Sequence, residues 1–236
     1  MKPILFNTDM VKAILEERKK VTRRIANIST ETSCNDGTTN HEFVLDDFGK
    51  RNPTGFVCRK CGFGVAPPNS RVPCGHSLFR PRYWPGDILY VRETWTQLFY
   101  VDPSGYTHWD QPMYYYAADG TPDTVLVDGD GFEEDDQRIR WKPSIHMPKK
   151  LARIFIRVTH IRLERLQEIT ADECPMEGVW PLFAGLVGER EVFYKGAFAK
   201  LWDSTIKPFY MSRYGWDANP WVWVIRFERC EKPKEA

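Results

Sequence analysis

Hydrophobic and polar positions change rhythm several times along this chain, and each change marks an element. Ile4 to Phe6 is a short apolar run with the look of a strand. From Asp9 to Arg18, Met10, Val11, Ile14 and Leu15 share one helical stripe, with Lys12, Glu16 and Glu17 off it. Asn7 and Thr8 stand where such a helix needs a cap. Helical spacing then stops. In VTRRI, Val21, Arg23 and Ile25 alternate with Thr22 and Arg24, which is the period of a strand.

Between Ala26 and Pro81 periodicity is lost in a stretch rich in Asn, Gly, Thr and Pro. It is long for a plain loop and reads as an insertion covering 26–81. Order returns at WPGDILYVRETW, where Pro85, Gly86 and Asp87 make a turn. A strand follows over Ile88 to Arg92 and ends near Glu93. MYYYAAD is another strand, and residues 119–137 form an acidic, glycine-rich excursion into solvent.

ARIFIRVTHIRLERL sets Ile154, Ile156 and Val158 against Arg153, Phe155 and Arg157, giving one long strand or two broken near Thr159. TADECPMEG spaces Thr170 and Glu173 as a capping box and ends on Gly178, so it predicts a short helix despite Pro175. YKGAFAKLWDSTI is a second helix. WVWVIRFERC closes the fold as a strand with Trp221, Trp223, Ile225 and Phe227 on one face. Several strands, few short helices and no repeated βα unit predict a small barrel or α+β fold. The main domain then comprises 1–25 and 82–230, with 231–236 as a tail.

Composition narrows the function classes. With 42% apolar and 28% charged residues, the 236-residue chain is globular rather than disordered. Nine Trp, ten Tyr and fourteen Phe suit a packed β-rich domain, and equally a groove that stacks bases. A formal net charge of +1 argues against a long duplex-DNA footprint. A local basic patch or a single nucleotide as ligand stays open. No signal-peptide run opens the chain, and nowhere do about 18 apolar residues run together. The expectation is a cytoplasmic protein with no membrane partner.

In a reducing compartment the six cysteines need an explanation other than disulfides. Cys58 and Cys61 form a Cys-x-x-Cys pair followed by glycine, a knuckle that grips zinc. Cys34 and Cys74 complete a candidate structural site for one zinc, with His41 and His76 as rival ligands. Such a site would let an aperiodic insertion fold, because metal binding supplies folding energy. Four reduced cysteines without metal is the plainer alternative. Cys174 and Cys230 lie near apolar segments and read as free thiols.

Two clusters carry candidate chemistry. In ERKKVTRRI, Lys19 and Thr22 stand three residues apart among Arg18, Lys20, Arg23 and Arg24. A lysine beside a hydroxyl can take its proton if nearby cations depress the lysine. A solvated or phosphate-facing charge cluster is the competing reading. Arg92 and Glu93 end a strand close to Trp95, either as an ordinary ion pair or as a base- or phosphate-gripping pair beside a stacking ring. Glu177, next to Gly178, reads on composition as a helix-surface carboxylate.

Five stretches carry a resemblance: ILFNTDMVKAILEERKKVTRR, PGDILYVRETW, RLQEITADECPMEG, LWDSTI and WDANPWVWVIRF. Together they resemble the ASCH-domain proteins of the PUA-like superfamily, and most closely a branch common in bacteriophages and prophages. The resemblance implies a β-barrel of about five or six strands with short flanking helices, in a family thought to bind RNA or nucleotides. If the chain is phage-encoded, its compartment is the cytoplasm of the bacterial host.

One bacterial branch of that family is similar to small amidohydrolases that deacetylate acetylcytidine through a Gly-Arg-Lys-Thr-x-Thr motif and a glutamate. Aligned residue by residue, the lysine falls on Lys19, the second threonine on Thr22 and the glutamate on Glu177. The resemblance makes Thr22 the nucleophile, Lys19 its activator and Glu177 the group that handles protons for the leaving amine. Two positions depart, since Glu17 replaces the motif's glycine and Lys20 its first threonine.

Three functions follow as expectations. The first is an RNA- or nucleotide-binding module built on Arg18, Lys20, Arg23, Arg24, Arg92, Glu93 and Trp95. The second is an amidohydrolase for an acylated nucleoside, using Lys19, Thr22 and Glu177. The third is a zinc-stabilised structural or protein-interaction factor.

Overall fold

The structure is a computed structural model that describes residues 1–26, 43–45, 56–58, 64–65, 81–122, 126–127, 139–180 and 190–233. In chain order the elements are β1 (Lys2–Leu5), α1 (Thr8–Leu15), β2 (Val21–Ile25), β3 (Phe43–Leu45), β4 (Phe56–Cys58) and β5 (Gly64–Val65). Then come β6 (Ile88–Arg92), β7 (Trp95–Tyr100), β8 (Met113–Tyr116), β9 (Leu126–Val127) and β10 (Phe155–Arg165). The last are α2 (Glu173–Met176), α3 (Arg190–Thr205), α4 (Met211–Tyr214) and β11 (Trp221–Cys230). The class is α+β. Two compact units divide the chain: Met1–Arg18, Asp87–Arg157 and Glu228–Ala236 in the first, Lys19–Gly86 and Val158–Phe227 in the second.

In the first unit β1 runs parallel to β6, with Lys2 opposite Leu89 and Leu5 opposite Arg92. The start of β10 pairs antiparallel with β6, Phe155 opposite Tyr90. A second sheet of order β8-β7-β9 is antiparallel throughout. Trp95, Met147, Ala152 and Phe155 form a core cluster, with Ile88, Tyr90, Tyr114 and Tyr116 packed on it.

Helix α1 buries Val11, Ala13 and Ile14, and Asn7 caps it by accepting from the Met10 N–H at 2.9 Å. It ends at Leu15, three residues short of the periodicity-based expectation. Glu17 takes the left-handed conformation, φ 58°. Arg18 N–H reaches back to the Ala13 carbonyl at 2.9 Å and Glu17 N–H to that of Ile14 at 3.1 Å. This is a Schellman stop, whose left-handed residue is usually glycine.

In the second unit β11 pairs antiparallel with β2, placing Val222 opposite Ile25, Val224 opposite Arg23 and Ile225 opposite Thr22. The other neighbour of β11 is β10. Val21, Val222 and Val224 share a core with Leu166, Ile169, Cys174, Tyr194, Phe198 and Trp202. Trp221, Trp223, Ile225 and Phe227 are buried as well, so β11 is covered on both faces over Trp221–Ile225. Within the 26–81 insertion, the short strands β3, β4 and β5 form a sheet, with Phe43 opposite Cys58 and Phe56 opposite Val65.

Residues 155–165 make one long strand, the first of the two expected forms, and its buried positions shift from Ile156 and Val158 to Ile161 and Leu163. Two expectations change. Glu173 does not close a capping box, because its carboxylate is taken by two arginines described below. Among the described residues the strand orders are open, and none closes into the barrel that the resemblance implies. Among the described residues, no helix is long and apolar enough to cross a membrane.

Candidate functional site

The second unit holds a buried group of charged side chains drawn from three segments. Lys19 lies just before β2, and Arg23 lies on it. Arg162 and Glu164 are alternate residues of β10 and share a strand face. Glu173 opens α2, and Glu177 caps its end. Lys19 and Glu177 are 3% and 4% exposed.

Lys19 Nζ donates to Glu177 Oε2 at 2.8 Å and to the Glu177 backbone carbonyl at 2.7 Å. A carbonyl at a helix end lacks an intrahelical donor, so an ammonium is a natural partner for it. Gly178, with φ 85°, turns the chain immediately afterwards. The backbone reinforces the join, since Lys20 N–H donates to the Met176 carbonyl at 2.8 Å.

Arg23 is the hub. Its side chain has no exposure, and it contacts three carboxylates: Glu164 at 2.6 Å, Glu173 at 2.5 Å and Glu177 Oε1 at 3.0 Å. Arg162 bonds to the same Glu164 at 2.7 Å and Glu173 at 2.5 Å. Three cations thus face three carboxylates, which is how charges survive burial.

Burial pushes the Lys19 ammonium down, Glu177 pulls it back up, and Arg24 and Arg23 oppose that pull. The net direction is downward, toward a lysine able to exchange its proton. Burial also lowers Arg23, but Glu177, Glu164 and Glu173 outweigh it and hold the guanidinium charged. Burial raises Glu173, and Arg23 with Arg162 overcomes that to leave it below its ordinary value. Cys174, buried nearby, is pushed up to about 11 by burial, which makes it an inert thiol.

Thr22 is 4% exposed, opposite Ile225. Strand alternation sets it with Arg24 on the face away from Arg23. So the structure joins Lys19 to Glu177 directly and shows no such bond from either to Thr22. Arg24 is partly buried across from Trp223; burial lowers it, Tyr83 and Glu177 oppose this, and the charge of Arg82 adds to it. Lys20 is exposed, while Arg18, in the first unit, pairs with Glu16 through a 2.7 Å bond.

Arg92 and Glu93 do not pair with each other. Arg92 Nε donates to the Met147 carbonyl at 2.7 Å. Glu93, 1% exposed, receives a two-pronged contact from Arg153 at 3.0 and 2.9 Å. Arg153 also grips Asp119 and lies 4.0 Å from the Tyr116 ring centre. Trp95 belongs to the first unit's core, with the Lys142 ammonium 5.1 Å from its ring centre.

The proposed zinc ligands Cys34, Cys61 and Cys74 lie outside the described residues, and of Cys58 only its place at the end of β4 is described. Among the described residues no group of three or more His, Cys, Asp or Glu is placed to hold a metal.

Sequence reasoning passed over Arg162 and Glu164. Their signal was present, two opposite charges at strand spacing within an otherwise apolar alternation. Compared with known proteins, the chain matches no family model, no curated protein and no solved structure.

Proposed function

We propose that this chain is a PUA-like protein of the ASCH type that hydrolyses an amide on a small acylated nucleoside, with Lys19 and Glu177 handling the protons. The observation that carries the reading is the buried 2.8 Å bond between Lys19 Nζ and Glu177 Oε2. These are two of the three residues that the resemblance assigns to chemistry. A lysine lowered by burial, with neighbouring arginines adding to the effect, gives up its proton more readily than an ordinary lysine. Arg23, already held by three carboxylates, is a structural cation in this reading rather than a phosphate grip.

In the reaction so assigned, Lys19 acts as the neutral amine: Thr22 Oγ forms a bond to the amide carbonyl carbon as Lys19 accepts the hydroxyl proton and becomes the ammonium. The carbon–nitrogen bond breaks as Glu177 relays a proton to the departing amine. Water then releases the acyl group from Thr22. Thr22 is the separable part of this scheme. Direct attack by water would need only the Lys19–Glu177 pair.

A second reading, nucleotide or RNA binding without chemistry, is favoured by Arg24 and Arg82. Their charges act on each other beside Tyr83, an arrangement suited to an anionic group. Incubation with acylated and unmodified nucleosides, followed by chromatography of the products, separates the two. Acyl release that is lost in Lys19→Met supports hydrolysis. Binding of nucleotides with no product supports the second reading, and a protein that neither releases acyl groups nor binds nucleotides would overturn both.

A further inference from the structure

The charged side chains around Glu177 form a closed ring with one branch. Arg23 Nη2 donates to Glu164 Oε1 at 2.6 Å and Glu173 Oε2 at 2.5 Å. Arg162 takes the opposite oxygens, Glu164 Oε2 at 2.7 Å and Glu173 Oε1 at 2.5 Å. Each carboxylate therefore bridges both arginines, and the ring of two cations and two anions is neutral. Arg23 Nη1 lies outside this ring and donates to Glu177 Oε1 at 3.0 Å. The two oxygens of Glu177 are thereby divided, Oε1 to Arg23 and Oε2 to Lys19.

A carboxylate on a flexible side chain would otherwise rotate and present either oxygen to Lys19. Arg23 has no such freedom, because its side chain is unexposed and two other carboxylates hold the far side of its fork. A planar guanidinium does this where a lysine could not, since its donors point in fixed directions. We infer that Arg23 is the positioning residue of the site, turning Glu177 so that one carboxylate oxygen is kept for Lys19. The inference rests on the reading that Lys19 and Glu177 exchange protons. Among the groups acting on Lys19 are Glu177, Arg24 and Arg23, and among those acting on Arg23 are Glu177, Glu164, Glu173 and the Cys174 thiol.

The test follows Lys19 itself. Protein carrying lysine labelled with carbon-13 at Cε is titrated by NMR, with the Lys19 signal assigned by its loss in Lys19→Met. In Arg23→Gln, removal of a cation moves the Lys19 midpoint upward. Arg23→Lys keeps the charge but loses the fork; it leaves the midpoint near the wild-type position and lowers kcat by about 10- to 100-fold, with KM little changed. If Arg23→Gln fails to fold, Arg23→Lys and Arg162→Gln carry the test, the latter lowering kcat in the same direction by less. A Lys19 titration and a kcat unchanged across the folded variants would overturn the inference. An inactive wild-type protein overturns the hydrolytic reading, whereas an active wild type whose kcat is unchanged in Arg23→Lys overturns the positioning role alone.

Discussion

Lys19 and Glu177, 158 positions apart in the chain, meet through two hydrogen bonds to a single ammonium, 2.8 Å to the carboxylate and 2.7 Å to the carbonyl. Breaking one side of a buried pair strands the other. Lys19→Met and Glu177→Gln should each destabilise the protein by about 3–5 kcal/mol. The double variant should cost less than their sum, because no charge is then left unpaired. Urea denaturation checks this, and simple additivity of the two losses would contradict it.

Lys19 and its neighbour Glu173 shape two separate pH windows, and stability rises with pH in both. Lys19 is lowered from 10.5, so between its folded value and 10.5 the unfolded chain binds more protons. Stability should therefore rise with pH across that window, and the rise attributable to this group should vanish in Lys19→Met. Glu173 is lowered from 4.5, so its contribution is present above that value and is lost as pH falls through the folded value. Glu173→Gln should flatten that acid limb in thermal unfolding scans.

Glu17 offers a test of local backbone strain. It is exposed, at φ 58°, in the place where the resembling motif carries glycine. Glu17→Gly should stabilise the protein by about 1 kcal/mol by relieving a left-handed L-residue. A loss of stability in equilibrium unfolding would mean that the Glu17 side chain makes a contribution larger than its strain.

In the first unit, Arg153 serves two carboxylates of different burial. Arg153→Met leaves Glu93, 1% exposed, without its two-pronged partner and should cost about 3–5 kcal/mol. Asp119→Asn, at the side chain that is 52% exposed, should cost less than about 1 kcal/mol. Equal costs for the two would contradict the division.

How much of this was legible in the sequence depends on what holds each part together. Periodicity places α1, β6 and β10 because each buries an apolar stripe, and it places β2 and β11 by two-residue alternation although β2 buries Thr22 and Arg23 and β11 is covered on both faces over Trp221–Ile225. It misses β7, where Trp95, Thr96, Leu98 and Phe99 are all buried and no two-residue rhythm survives. It also misses β3, β4 and β5, which are two or three residues long and are defined by pairing rather than by pattern.

The end of α1 was misplaced because charged residues continue the helical spacing past a left-handed stop that no side chain announces. Lys19 stood out by its spacing from Thr22 among cations, whereas Glu177 read as a helix-surface carboxylate and took a chemical role only from the resemblance. The Arg23 hub was invisible, since only the fold brings Glu164, Glu173 and Glu177 onto one guanidinium.

Zinc in the insertion remains a proposal with its own test. Protein purified without added metal should carry about one zinc per chain, lost when Cys58 and Cys61 become serine. Metal-free protein with a stable fold would remove the metal from the account.

The most direct measurement is the rate of acyl release from an N-acylated nucleoside by wild-type protein, Lys19→Met, Glu177→Gln and Thr22→Ala, each first shown to be folded. The account predicts release by the wild type and a loss of at least about 100-fold in both Lys19→Met and Glu177→Gln. A comparable loss in Thr22→Ala assigns it the attack, and retained activity there assigns the attack to water. Release that survives unchanged in Lys19→Met and Glu177→Gln would contradict the claim that this buried pair does the chemistry.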